Sequence, residues 1–172
     1  MHALHIILLQ SDRDLEPDEV FTLASDAIES FQDEVFDWHA EGPGRWTQEY
    51  PAPISFRKSP DGFMSELRAI VERMKAERQG ALEYLARQLG LEDDCTSETI
   101  GRALFGNVES LGEHALWSAI RYLQLMRGDY TPDSGFYDAI QGSASIPVPE
   151  QVANEPLGET EDLYLVPMDL HY

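Results

Sequence analysis

His2-Ala3-Leu4-His5-Ile6-Ile7-Leu8-Leu9 carries apolar side chains at both its odd and its even positions, broken only by His2 and His5. A strand turns successive side chains to opposite faces of its sheet, so a run that is apolar on both counts is covered on both sides. The stretch therefore predicts a central strand, which needs neighbours on both edges and a layer over each face. Ser11-Asp12-Arg13-Asp14 ends it.

Working outward, Pro17 suits the first turn of a helix, and Asp18 and Glu19 suit its positive end. Val20, Phe21, Leu23, Ala24, Ala27, Ile28 and Phe31 then keep helical spacing against polar Asp18, Thr22, Ser25, Asp26 and Glu29, which predicts an amphipathic helix over 17–32. Val35 to Ala40 alternates as a half-buried strand does. Gly42-Pro43-Gly44 forces a turn, and Arg45 to Glu49 is expected to return as the second strand of a hairpin. Phe63, Met64, Leu67, Ile70, Val71, Met74, Leu82, Leu85 and Leu89 hold one helical phase, so a long helix is expected from Asp61 to about Leu89, bent at Gly80 and stopped by Gly90. A short helix over 97–105 and another over 108–126 follow. The stretch 129–162 is rich in Pro, Gly and Ser and reads as a long acidic loop, with one short turn near Phe136 to Ile140. Leu163 to Tyr172 is again apolar and β-prone, but Pro167 cannot donate to a ladder and predicts an edge strand or an interruption.

The expected class is α+β: a small mixed or antiparallel sheet of N-terminal strand, hairpin and C-terminal strand, with a helical insertion of about three helices. A ferredoxin-like sheet is the first topology expected. The 172 residues read as a single domain, 1–172, with the sheet and one helix in 1–57 and 163–172, a helical block in 58–128 and the acidic loop in 129–162.

Charge is the loudest feature of the composition: 32 acids against 12 bases, a formal net charge of -20. Residues 1–50 carry twelve acids and two bases, 51–90 five and seven, 91–128 six and three, and 129–172 nine and none. Such a field repels nucleic acid and anionic membrane and attracts basic surfaces, including those that hold nucleic acid. Direct nucleic-acid binding and membrane association are therefore not expected. Salt adaptation or a solubility surplus is the ordinary alternative, with two lysines against ten arginines. The lone Cys95, beside Asp93 and Asp94, makes no internal disulfide and suits a reducing, cytoplasmic setting. The first residues lack the basic flank and the length of a signal peptide or membrane span, and neither is expected.

Nucleotide loops of the Gly-x-x-x-x-Gly-Lys and Gly-x-Gly-x-x-Gly types, the Gly-x-Ser-x-Gly elbow and His-Glu-x-x-His are all absent from the sequence. No cofactor is expected from familiar motifs, and the balance leans away from an enzyme. One constellation stands against that: Asp37 and His39 share a strand face by the period of two, and so do Asp169 and His171. If the two strands are neighbours, two carboxylates and two imidazoles converge, the ligand types for a divalent metal and for acid–base chemistry. Arg45, just after the glycine turn, has the fork that holds a carboxylate or phosphate, although pairing with Glu41 or stacking on Trp46 explains it equally well. His114, in the 108–126 helix, reads as packed or solvated.

The apolar first strand, Asp37-Trp38 leading into Gly42-Pro43-Gly44-Arg45-Trp46, and the final Asp169-Leu170-His171 together resemble a loose group of uncharacterised phage and prophage proteins. In that group an Asp-Trp strand runs into Gly-Gly-Arg-Trp and the chain closes on Asp-x-His. The likeness covers about a third of this chain; here a proline splits the glycines, and His39 stands where an aromatic is more usual. It implies a phage setting and no particular activity.

Two functional expectations follow. The first is an acidic interaction protein that blocks a basic host protein, one that binds nucleic acid or serves defence, with Asp18, Asp26, Glu29 and Asp33 of the first helix and Glu150, Glu155, Glu159, Glu161 and Asp162 standing in for phosphates. The second is a small metal- or anion-dependent enzyme or ligand-binding protein with Asp37, His39, Arg45, Asp169 and His171 around one site. A structural virion protein is the duller third. Oligomeric state is not legible in the sequence.

Overall fold

The computed structural model describes residues 2–29, 38–91, 96–105, 134–142 and 147–171. Its strands and helices run β1 (His2–Ser11), α1 (Pro17–Glu29), β2 (Trp38–Ala40), β3 (Ile54–Ser55), α2 (Pro60–Gln88), α3 (Ser97–Phe105), β4 (Ser134–Asp138), α4 (Pro149–Ala153) and β5 (Asp162–His171). The class is α+β, with one mixed five-stranded sheet in the order β2-β5-β1-β4 and β3 also on β5. Contacts divide the chain into two compact units, Met1–Arg73 with Pro132–Tyr172, and Met74–Thr131. Asp33, Asp37, Cys95, His114 and the helix expected over 108–126 lie outside the described residues.

In the first unit β1 is central, as its two apolar faces require. It pairs antiparallel with β5 from His2 opposite His171 to Ser11 opposite Asp162, and parallel with β4 from Leu4 opposite Ser134 to Leu8 opposite Asp138. One face of the sheet, with Ile7, Leu9, Tyr164, Val166, Met168 and Leu170, packs on Val20, Ala24 and Ile28 of α1. The other face buries Leu4, Ile6, Leu8, Leu163, Leu165 and Phe136. The first half of α2 brings buried Phe63, Leu67, Ile70 and Val71 to this unit, and Phe56 meets Phe63 edge-on at 5.2 Å. The second unit has its own small core, where Leu82, Leu85 and Ala86 of α2 pack on Ile100 and Leu104 of α3. The Thr99 N–H donates to Thr96 Oγ1 at 3.2 Å and so caps the start of α3.

Three expectations are corrected. β5 is not an edge: it lies between β1 and the β2/β3 flank, with Pro167 opposite Ile6. The Asp169 N–H donates to the Gly42 carbonyl at 3.0 Å, and the Leu163 carbonyl accepts from the Phe56 N–H at 2.8 Å, so odd-numbered residues turn their backbone polar groups to that flank. β2 pairs with 169–171 and β3 with 164–165, which leaves Pro167 level with the gap between them. Its missing donor takes nothing from the ladder to β1.

The hairpin is also absent. β2 pairs with β5, and Gly44–Trp46 is a 3-10 turn rather than a return strand. The N–H groups of Trp46 and Thr47 bond back to the carbonyls of Pro43 and Gly44 at 2.9 and 3.3 Å, and Thr47 Oγ1 donates to the Gly44 carbonyl at 2.6 Å. Local bonds thus satisfy the groups that a second strand would have used. Finally, the 129–162 segment, expected to be loop, holds β4 and α4. The ferredoxin-like expectation holds for β1-α1-β2, a split β-α-β with β5 between its strands. It departs at β4, which runs parallel to β1 where a ferredoxin-like sheet has an antiparallel neighbour.

Candidate functional site

β2 and β5 are neighbours, yet their register separates the residues expected to converge. Trp38 stands opposite His171, His39 opposite Leu170 and Ala40 opposite Asp169. Directly opposed residues share a face, so His39 lies on the α1 side with Leu170 while Asp169 and His171 lie on the other. Asp37 is outside the described residues. The structure does not bring His39 to Asp169 and His171, and among the described residues no group of three or more His, Cys, Asp and Glu could hold a metal ion.

What gathers at Asp169 is a different set. The carboxylate is 3% exposed and lies where β1 begins and β5 ends. Oδ1 is 2.9 Å from His2 Nδ1, and Oδ2 accepts from the Arg45 N–H at 3.4 Å, with Arg45 Nε at 4.0 Å. A carboxylate only accepts, so this bond places the hydrogen on His2 Nδ1. The rings of His2 and His171 meet edge-on with centroids 5.0 Å apart. Arg45 also lies 5.7 Å over the Trp46 ring. The sequence quoted Asp169, His171 and Arg45 for this region but missed His2, whose place follows from a register that pairs it with His171.

The glycine turn makes this approach possible. Gly44 adopts φ +52°, and a Cβ there would lie 2.7 Å from Asp169 Cβ and 2.9 Å from its Cγ. Only a residue without a side chain lets the loop close over the carboxylate. In the same loop Glu41 is held by Thr22 Oγ1 at 3.0 Å. The result is a buried acid with a guanidinium and two imidazoles around it.

Elsewhere on the same face pairing His5 is buried on the α1 side of β1, opposite Gly135 of β4. A Cβ on Gly135 would overlap the imidazole. Burial pushes the His5 pKa down from 6.5 to about 4, and a hydrogen bond with the Ala3 backbone works the other way.

The carboxylates expected to meet a partner divide into surface and scaffold. Asp18, Asp26 and Glu29 are exposed on α1, as are Glu150, Glu155 and Glu159. Glu161 is half-buried, and its Oε2 accepts from the Gly158 N–H at 2.6 Å. Asp162 is 2% exposed and takes no part in any surface: it accepts from Ser55 Oγ and from the Arg57 N–H at 2.9 Å, tying β3 to β5. Asp12, Glu19 and Asp26 line a groove of about 590 Å³ with Ser11, Thr22 and Leu23 at the carboxyl end of β1. Arg13 lies in the same groove, 2.9 Å from Glu19, and its guanidinium holds the Glu19 carboxyl below the usual range. Asp138 and Glu155 line a smaller cleft of about 130 Å³ at the end of β4, whose next residue, Ala139, donates its N–H to the Leu8 carbonyl at 3.0 Å. The carboxyl ends of the two parallel strands therefore carry acids in concave surfaces.

No family model, curated protein or solved structure matches the chain. Among the described residues no helix is long and apolar enough to cross a membrane.

Proposed function

We propose that this is an acidic interaction protein, in the phage setting its sequence resemblance implies, that occupies a basic surface of a nucleic-acid-binding or defence protein. The observation that carries the reading is the 590 Å³ groove whose walls hold Asp12, Glu19 and Asp26 against one arginine, which Glu19 already pairs. Exposed Asp18 and Glu29 extend the same negative surface along α1. Leu23, 37% exposed within the groove, gives an apolar contact between the charges. A partner's arginines can pair with these carboxylates as they would with phosphates. Asp162 has no place in this surface, and Glu150, Glu155 and Glu159 form its second arm.

The test is retention of a basic partner from host lysate by tagged protein, washed in steps of rising salt and competed with duplex DNA. Exposed charges reach only about 10 Å at about 0.1 M salt, so binding is expected to weaken about tenfold or more as salt rises several-fold. DNA is expected to displace the captured protein, and the triple variant Asp12→Asn, Asp26→Asn, Glu29→Gln is expected to lose it. Retention that survives molar salt and the triple variant would refute the reading.

A further inference from the structure

In a chain with 32 acids and 12 bases, the sheet end at His2 runs against the overall charge. Three side chains able to carry positive charge, His2, Arg45 and His171, gather at the buried Asp169. Each is positioned by something other than a ligand. Asp169 fixes the His2 ring through Nδ1, and the His2 ring meets that of His171 edge-on. The Arg45 backbone is held by Asp169 Oδ2, and its guanidinium rests over Trp46 with Nε 4.0 Å from the same oxygen.

That leaves the fork of Arg45 unspent. Its side chain is 57% exposed, and among the described residues its two terminal amino nitrogens have no partner. A guanidinium resting over an aromatic ring, with its outer nitrogens open, is suited to receive two oxygens of one oxyanion. The acid-lined groove is at the other end of β1, about 30 Å away at about 3.3 Å per residue, beyond the reach of its field in ordinary salt.

We propose that Arg45, His2 and His171 form a binding site for a phosphoryl oxyanion, with buried Asp169 as the residue that positions them. Arg45 takes two phosphoryl oxygens through its outer nitrogens, and the imidazoles close on the remaining face. Gly44 belongs to the site as the residue that lets the loop bring Arg45 to Asp169. This site is separate from the acidic groove and stands or falls without it.

Inorganic phosphate titrated into the full chain at constant ionic strength tests the proposal, with acetate and chloride as parallel titrants. The readout is the NMR signals of the Arg45 Nε–Hε group and of the histidine rings. Saturable shifts confined to Arg45, His2 and His171 are expected with phosphate, and Arg45→Ala is expected to weaken binding by about tenfold, the value of a charge-assisted bidentate contact. Because that side chain is largely exposed, the urea midpoint of Arg45→Ala should not move. His2→Gln keeps a donor for Asp169 while removing an imidazole, and should weaken phosphate binding without unfolding the protein. Asp12→Asn should change nothing. Linear shifts equal to those of chloride, saturation by acetate at the same concentration, or an Arg45→Ala variant of undiminished affinity would each overturn the assignment.

Discussion

Acidification from about pH 7 to about pH 5 should remove about 2 kcal/mol of stability through His5 alone. The imidazole titrates near 6.5 in an unfolded chain and near 4 in the folded protein, because burial penalises its charged form. Between those values the unfolded state binds a proton that the folded state refuses, so lowering the pH favours unfolding. The contribution is intact above about pH 6.5 and fully lost below about pH 4, where it amounts to about 3 kcal/mol at about 1.4 kcal/mol per pH unit. Asp14 and Glu19 have folded pKa values below the usual carboxylate range, so they too lose stability in acid, but only as pH falls through that range. Comparison with a variant that lacks this ring isolates its contribution from that of every other group. Urea unfolding of the wild type and His5→Leu at several pH values between about 7 and about 5 is the assay. Leucine has nothing to titrate, so the difference between the two curves should change by about 2 kcal/mol from about pH 7 to about pH 5. Parallel curves would refute the argument that this ring is held neutral between β1, β4 and the α1 face.

Two further perturbations test the joints of the sheet. Gly44→Ala places a Cβ against Asp169 and a side chain at φ +52°, and should cost about 2–4 kcal/mol in urea unfolding; a cost under about 0.5 kcal/mol would show that the loop does not need the close approach. Ser55→Ala removes a donor from the buried Asp162 carboxylate and the acceptor of the Lys58 N–H, for about 2 kcal/mol, and Ser55→Thr should restore most of it.

Periodicity made some of this architecture legible and left other parts hidden. Two-sided apolarity placed β1 in the centre, and helical spacing located α1, α2 and α3, the last with the bounds expected of it. Those signals are local and come from burial. β4 has only Phe136 and Tyr137 as large apolar residues among five, too few to stand out from a loop. Pro167 pointed to an edge because the rule concerns a lost ladder bond, whereas the alternating backbone of β5 turns that position to the side where no bond is made. The candidate site was legible in composition but not in geometry. Asp169, His171 and Arg45 were visible as residue types near turns and strand ends. Which face His39 takes depends on a one-residue register between strands some 130 residues apart in sequence, and no local pattern encodes it. His2 was hidden for the same reason.

The antiparallel pairing of β1 with β5 also orders events during synthesis. β1 is made well before β5, its antiparallel partner, which also carries β2 and β3. Until β5 is threaded between β1 and the β2/β3 flank, most of the sheet has no ladder, and Ile6, Ile7 and Leu8 wait uncovered on one edge. Assembly of this unit is thus a single late closure dominated by contacts between distant residues, the kind that folds slowly. A chaperone that shields β1 on the nascent chain would meet a strand whose two faces are both apolar.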